Sequence, residues 1–123
     1  MFDPNRVPAV TVMDAHRQLH EGGAARPLLV DVREAHEFAA VRAEGATLFP
    51  LSTFAARLPE LPTDRPLLMI CQSGARSARA TAFLLANGWT DVANVAGGTA
   101  AWVLAGLPAR RGPLDPGEGV LPA

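Results

Sequence analysis

The residue types most able to do chemistry are concentrated in one short segment, residues 71–77, which contains the only cysteine of the chain. Cys71 ends a run of five apolar residues, and Pro66 before this run and Gly74 after it favour a buried strand over a helix. A helical pattern then begins at Arg76. The sequence therefore predicts a cysteine at the carboxyl end of a strand, followed by a short loop and the first turn of a helix.

A cysteine in this position is predicted to be a nucleophile. Open α/β sheets bind ligands beyond the carboxyl ends of their strands, and the N–H groups of the loop and of the helix N-terminus favour a negative charge there. Arg76, five positions after Cys71, adds a full positive charge. These groups should depress the pKa of the thiol below its free value of about 8.5 and provide a thiolate for attack. The alternative is an inert core cysteine, because free cysteine is among the most buried residue types. The glycine-containing loop and Arg76 favour the reactive thiol.

Composition excludes several classes of function. The chain has 123 residues, 49% hydrophobic and 19% charged, which predicts a single domain, residues 1–123, with a real core. A formal charge of −1 gives no electrostatic reason to expect nucleic acid or an anionic membrane as a partner. No apolar stretch approaches the roughly 20 residues of a spanning helix, and the N-terminal residues lack the basic-then-apolar order of a signal peptide.

The single cysteine also limits the chemistry. It excludes an intrachain disulfide and a cysteine-based metal cluster, so we expect a reducing cytoplasm. We also expect neither a metal nor a cofactor. His16 and His20 share one face of a predicted helix, but no third ligand is evident, and a solvated helix face is the preferred interpretation. Without a second thiol, any group that Cys71 accepts must leave to another molecule.

Strands alternate with helices along the chain, which predicts an α/β fold with a parallel sheet covered on both faces. Thr11 and Ser52 are expected to cap the first and third helices. From residue 108 onward, four prolines and three glycines in 16 residues predict no regular element, so this tail is expected to be disordered or laid across the surface. The predicted strands are residues 7–10, 28–32, 47–49, 67–71 and 91–95, and the predicted helices are residues 12–21, 34–41, 52–58, 77–87 and 99–105.

The sequence Cys-Gln-Ser-Gly-Ala-Arg-Ser at residues 71–77 resembles the six-residue active-site loop of the rhodanese family, the single-domain sulfurtransferases. The resemblance covers about residues 8–107. Further matches follow in the family's order: Leu-Leu-Val-Asp-Val-Arg-Glu at 28–34, Glu-Phe at 37–38, Gly-Ala at 45–46 and Val-Ala-Gly-Gly-Thr-Ala-Ala-Trp at 95–102. The chain departs from the family at residues 41–44, where Val-Arg-Ala-Glu replaces the usual Gly-His-Ile-Pro.

The resemblance implies a three-layer α/β/α fold around a five-stranded parallel sheet in the order 1-5-4-2-3, with the cysteine strand in the middle. It also implies a sulfurtransferase that moves a sulfane sulfur from a donor such as thiosulfate to a thiol or cyanide, through a persulfide on Cys71. The expected partners are a small sulfur-containing anion as donor and a thiol or protein thiol as acceptor. The protein is expected to act as a monomer or homodimer.

The same resemblance assigns roles to the residues around the loop. Cys71 and Arg76 are the expected catalytic residues, and the backbone N–H groups of residues 72–76 are expected to hold the anionic terminal sulfur. Asp31 and Arg33 follow the second strand. Asp31 is expected to accept hydrogen bonds from loop N–H groups, and Arg33 to stabilise that edge or meet an anionic substrate; a structural ion pair is the alternative for both. The expected substrate-binding residues are Gln72, Ser73, Gly74, Ala75 and Arg33, and the expected supports of the loop are Asp31 and Ser77.

Two other functions stay open. Cysteine phosphatases and arsenate reductases also use a cysteine–arginine loop, but they place five residues between the two side chains, and this chain has four between Cys71 and Arg76. The second alternative is a rhodanese-like binding or sulfur-carrier module with little turnover of its own. The changed residues 41–44 and the neutral loop leave that alternative open, whereas the retained cysteine argues against an inert module.

Overall fold

The computed structural model describes residues 2–122, and its centre is a parallel sheet of five strands in the order β1-β6-β5-β2-β4. All neighbouring pairs in this sheet are parallel, and the cysteine strand β5 lies in the middle. The predicted α/β class and the predicted strand order are therefore confirmed. In chain order, the strands within the described residues are β1 (Ala9–Val10), β2 (Leu28–Asp31), β3 (Arg42–Ala43), β4 (Thr47–Leu48), β5 (Leu67–Ile70), β6 (Val92–Val95) and β7 (Ala109–Arg110).

Helices cover both faces of the sheet, which confirms the three layers. They are α1 (Val12–Glu21), α2 (Ala35–Ala40), α3 (Leu51–Arg57), α4 (Ala75–Ala86) and α5 (Gly98–Leu104), with short 3-10 turns at Pro4–Arg6, Gly23–Ala25 and Leu58–Glu60. In β5, Leu67 and Met69 pack toward α3 and α4, whereas Leu68 and Ile70 pack toward α1, α2 and α5. A strand buried on both faces is apolar throughout, as this one is. No helix within residues 2–122 has the length and apolar character needed to cross a membrane.

One of the two predicted N-cap residues caps its helix, and the other does not. Thr11 caps α1, and its hydroxyl accepts a hydrogen bond from the N–H of Asp14 at 3.1 Å. The prediction for Ser52 was wrong, because Pro50 is the N-cap residue and α3 begins at Leu51, which places Ser52 inside the first turn. The Ser52 hydroxyl instead donates to a carboxylate oxygen of Glu34 at 2.6 Å, a long-range contact that local pattern does not indicate.

The tail contains a strand that composition did not predict. Residues Ala109–Arg110 form β7, which pairs antiparallel with β3. The prediction of no regular element was wrong here because proline lacks an N–H but keeps its carbonyl, and the Pro108 carbonyl accepts from the N–H of Glu44 at 3.0 Å. Further along, the Gly119 carbonyl accepts from the N–H of Leu48 at 2.8 Å, so the tail covers the outer edge of β4.

Arg42 holds this tail from inside the fold. Its side chain is 1% exposed and lies in the segment that departs from the family pattern. Its guanidinium donates to the Glu118 carboxylate, with 2.9 Å between Nη2 and Oε1, and to the Gly112 carbonyl at 2.8 Å. The segment thus has a structural role in this chain, as the anchor of residues 109–122.

Candidate active site

The loop after β5 is shaped by a glycine and by the start of α5. Gly74 has a φ of +102°, a conformation that residues with a side chain rarely adopt, and it directly precedes α4. Gly98, at the start of α5, approaches the loop so closely that a Cβ there would lie 2.5 Å from the Cys71 carbonyl oxygen. The N–H of Thr99 donates to that same oxygen at 2.8 Å. The absence of a side chain at Gly98 therefore lets the backbone of α5 lie against the cysteine loop.

Replacing Gly98 by alanine is expected to destabilise the protein by about 2 kcal/mol, because the new Cβ adds a clash to a strained positive φ of +61°. We also expect alkylation of Cys71 to slow about tenfold as its loop is displaced. Urea unfolding and iodoacetamide kinetics check both effects. Gly88→Ala is the matched control, because Gly88 has a φ of +103° and no atom within 4 Å of the added Cβ. Equal effects of the two variants on the thiol would contradict this description of the Gly98 contact.

The Cys71 thiol is buried but receives hydrogen bonds. Its sulfur is 3.1 Å from the N–H nitrogen of Gly74 and 3.2 Å from the hydroxyl oxygen of Ser77. Burial raises the pKa of the Cys71 thiol, but hydrogen bonds from the Ser77 side chain and from backbone N–H groups at Ser77, Gly74 and Ser73 outweigh it, so the pKa lies below its ordinary value. The arrangement favours a thiolate at the N-terminus of α4.

Asn94 is a site residue that the sequence interpretation missed. It lies buried in β6, where its side-chain N–H donates to the Gly74 carbonyl at 3.1 Å and its carbonyl oxygen lies 2.6 Å from the Ser77 hydroxyl oxygen, whose single proton is shared between this acceptor and the Cys71 sulfur. Its amide thus fixes both groups that hydrogen-bond to Cys71. The available signal was an asparagine in the middle of a predicted apolar strand.

Removing the Ser77 hydroxyl is expected to raise the pKa of the Cys71 thiol, because one donor to the thiolate is lost. At pH 7 the Ser77→Ala variant should therefore react about tenfold more slowly with iodoacetamide. The measurement is alkylation rate against pH, and the midpoint should move to higher pH. Ser52→Ala is the control, since its hydroxyl bonds to Glu34 rather than to the thiol. An unchanged midpoint in Ser77→Ala would contradict the assignment.

Arg76 does not point freely into the site. Its two Nη groups donate to the two carboxylate oxygens of Glu37 in α2, each at 2.8 Å. The hydrogen bond from Arg76 lowers the pKa of Glu37 to about 2, and Glu37 in turn raises the pKa of Arg76. This pair connects the first turn of α4 to α2 across 39 positions of sequence.

Asp31 and Arg33 form a buried ion pair beneath the loop. Arg33 is 1% exposed, and its Nη2 donates to the Asp31 carboxylate at 2.8 Å and to the Val41 carbonyl at 2.7 Å. Its Nη1 lies 3.4 Å from the side-chain oxygen of Gln72. The hydrogen bonds that Asp31 accepts through its side chain in the described residues come from Arg33, not from loop N–H groups. This placement corresponds to the structural alternative and gives Arg33 no exposed surface for a donor.

The loop residues expected to bind substrate differ in their exposure to solvent. Gln72, Ser73 and Ala75 are exposed, whereas Gly74 is buried. Ser73, Gly74 and Ala75 line a cavity of about 320 Å³ together with residues of the N-terminal segment such as Pro4, and neither Cys71 nor Gln72 is part of its lining. The structure thus brings the loop residues together, with neutral side chains around an opening of small-molecule size.

Comparison with known proteins identifies relatives over most of the chain. The model of the rhodanese-like domain family matches residues 11–105. A sulfurtransferase of Allochromatium vinosum is 41% identical over 81 residues, which cover 66% of this chain and 76% of that protein. An uncharacterized Bacillus subtilis protein, YqhL, is 40% identical over 80 residues, which cover 65% of this chain and 64% of that protein.

Solved structures give the same result. A thiosulfate sulfurtransferase from Pseudomonas aeruginosa matches with a TM-score of 0.76 and 25% identity, over 89% of this chain and 21% of that chain. A rhodanese-related protein from Thermoplasma volcanium matches with a TM-score of 0.72 and 28% identity, over 84% of this chain and 97% of that chain. The resemblance predicted from the order of the motifs is therefore confirmed.

Proposed function

Because the chain belongs to the family of rhodanese-like domains, we propose that it is a sulfurtransferase in which Cys71 accepts a sulfane sulfur as a persulfide and passes it to a thiol. The observation that carries the proposal is the buried thiol held by the Gly74 N–H and the Ser77 hydroxyl at the start of α4. The sulfurtransferase name of the A. vinosum relative supports the transferase class. Thiosulfate, the donor in the name of the P. aeruginosa neighbour, is the proposed assay donor.

The reaction has two halves. In the first, the Cys71 thiolate attacks the outer sulfur of thiosulfate, a bond forms between the two sulfurs, and the electron pair of the broken S–S bond leaves with sulfite. In the second, an acceptor thiolate or cyanide attacks the terminal sulfur and releases the Cys71 thiolate. The N–H groups of residues 72–76 would hold the anionic terminal sulfur, in the way that an oxyanion hole holds oxygen.

The other side chains shape the loop rather than react. Arg76 would fix the end of the loop against Glu37, and Arg33, paired with Asp31, would support Gln72 from beneath. Ser77 would hold the thiolate. The exposed loop residues would contact the donor. Neither half-reaction needs a metal or cofactor, and a cytoplasmic location with a thiol or protein thiol as acceptor completes the proposal.

Steady-state kinetics test this function. With thiosulfate and cyanide varied together, the covalent intermediate predicts ping-pong behaviour, in which double-reciprocal plots are parallel. Intersecting plots would contradict a free persulfide form of the enzyme. Absence of sulfur transfer together with hydrolysis of phenyl phosphate would contradict the sulfurtransferase proposal and favour a phosphatase.

A sulfur-carrier module is the second candidate, and the Arg76–Glu37 pair favours it. Both Nη groups of Arg76 donate to Glu37, and the side chains of the exposed loop residues Gln72, Ser73 and Ala75 are neutral. The surface of the loop therefore offers little electrostatic attraction to free anions. A carrier would accept sulfur once and discharge it slowly to small thiols. An enzyme and a carrier are distinguished by loading Cys71 once with sulfur and measuring the rate at which cyanide or dithiothreitol removes it. In an enzyme, this removal is at least as fast as the steady-state turnover.

A further inference from the structure

The positive charge of Arg76, the expected catalytic cation, is already paired with a carboxylate. Arg76 and Glu37 meet fork to fork, with both N–O distances at 2.8 Å, a geometry that is strong and directional. Their side chains are 40% and 25% exposed, so the pair lies at the surface beside the loop. Because the pKa of Glu37 is about 2, the carboxylate remains charged at every physiological pH.

The surrounding charges do not restore a positive field. Residues 31–40 and 71–77, which form this side of the site, contain two arginines and three carboxylates. Arg33 is buried against Asp31. Glu34 accepts from the Ser52 hydroxyl and adds a negative charge without an arginine partner among the described contacts. The next cation along α4, Arg79, lies over the ring of Phe2.

We infer that Glu37 determines the donor class of this site: by holding Arg76, it disfavours the thiosulfate dianion and favours a hydrodisulfide, R–S–SH, as the sulfur donor. This inference rests on the proposed function, because it concerns the first half of that reaction. A hydrodisulfide reacts in its neutral form. The loop N–H groups and the helix N-terminus then stabilise only the single negative charge of the Cys71 thiolate. With thiosulfate they would have to stabilise three charges, those of the thiolate and of the dianion.

The step balances without a further reactant. The Cys71 thiolate attacks the outer sulfur of R–S–SH, a new S–S bond forms, and the old S–S bond breaks. The electron pair of the broken bond leaves with R–S⁻, and the proton stays on the sulfur now attached to Cys71 or passes to the leaving thiolate. With thiosulfate, the same step brings a dianion to a thiolate beside a neutralised arginine, and like charges in one site repel.

Glu37→Gln is the test variant, because glutamine keeps one oxygen that can accept from the N–H of Glu34, removes the negative charge, and replaces the second acceptor of Arg76 with an amide NH2. We expect kcat/KM for thiosulfate to rise about tenfold at low ionic strength, and the gain to shrink as salt is added. For benzyl hydrodisulfide we expect a change below about twofold, since that donor reacts as a neutral group. Glu44→Gln is the charge-matched control outside the loop, and it should leave the ratio of the two donors unchanged.

The outcomes separate this inference from the proposed function. Loading of Cys71 from both donors with a donor ratio that does not respond to Glu37→Gln overturns the inference alone. A chain that accepts sulfur from neither donor overturns the proposed function and the inference with it. A second measurement needs no variant: in the unmodified protein, kcat/KM for thiosulfate should stay level or rise with added salt. A steep fall with salt would show attraction by a free cation and overturn the inference even if the glutamine variant failed to fold.

Discussion

The Cys71→Ser variant is expected to fold as the unmodified protein does and to lose sulfur transfer by about three orders of magnitude or more. The hydroxyl has nearly the size of the thiol, so the buried position tolerates it, and the hydrogen bonds from Gly74 and Ser77 remain available. A serine hydroxyl is not ionised near neutral pH, and the structure provides no adjacent base within the described hydrogen bonds of Cys71 to activate it. Thiosulfate–cyanide turnover and urea unfolding of both proteins measure the two expectations.

Ser52→Ala is a suitable control for this variant, because the Ser52 hydroxyl bonds to Glu34 and lies outside the cysteine loop. It should retain most of the turnover. If Cys71→Ser kept a tenth or more of the activity with its fold intact, another group would be the nucleophile, and the chemistry assigned to the loop would be wrong.

The largest expected loss of stability comes from Arg42→Ala, at about 3 kcal/mol in the free energy of unfolding. Arg42 is 1% exposed and donates to the Glu118 carboxylate and to the Gly112 carbonyl. Its removal would leave these acceptors without their donor at a position largely shielded from solvent. The tail that covers the edge of β4 would then be released. Urea unfolding gives the stability change, and limited proteolysis should cut within residues 109–122.

Arg110→Ala is the matched control. Arg110 lies in the same tail, pairs with Asp115 at an exposed position and lies 3.9 Å from Glu118, and pairs formed by such an exposed side chain contribute about 1 kcal/mol or less. A loss below about 1 kcal/mol in Arg42→Ala would contradict the anchoring role of this side chain.

The hydrogen bond between Arg42 and Glu118 also makes the free energy of unfolding depend on pH. The hydrogen bond from Arg42 lowers the pKa of Glu118 to about 2 from an ordinary 4.5. A carboxyl whose folded-state pKa is depressed contributes stability that is present above its unfolded pKa and is lost as the pH falls through the folded value. The stability difference between the unmodified protein and Arg42→Ala should therefore shrink as the pH falls from about 5 towards 2, measured by urea unfolding.

The local features of the site could be predicted from the sequence because they depend on neighbours along the chain. Pro66 and Gly74 bound the apolar run, which places Cys71 directly after β5. The alternation of strands and helices indicated the parallel sheet. The position of Thr11 before α1 was also readable, since a cap bonds to a residue three positions away.

The long-range polar contacts could not be predicted, because they are decided by which elements pack together. Nothing local shows that Glu37 will pair with Arg76, or that Asn94 will bond to both Gly74 and Ser77. The position of the tail across the surface was one of the two predicted alternatives, but its strand was missed for the same reason. The proline and glycine content of the tail indicates only its local conformational preferences. The position of the tail in the fold depends on hydrogen bonds from Arg42, a buried donor about 70 positions earlier.

The central claim is tested most directly by the intact mass of the protein after incubation with thiosulfate and with a hydrodisulfide, compared with that of Cys71→Ser. The account predicts a gain of one sulfur, about 32 Da, in the unmodified protein only, and its removal by cyanide, because the loaded sulfur is a persulfide on the nucleophile. No gain from either donor, or an equal gain in Cys71→Ser, would contradict it.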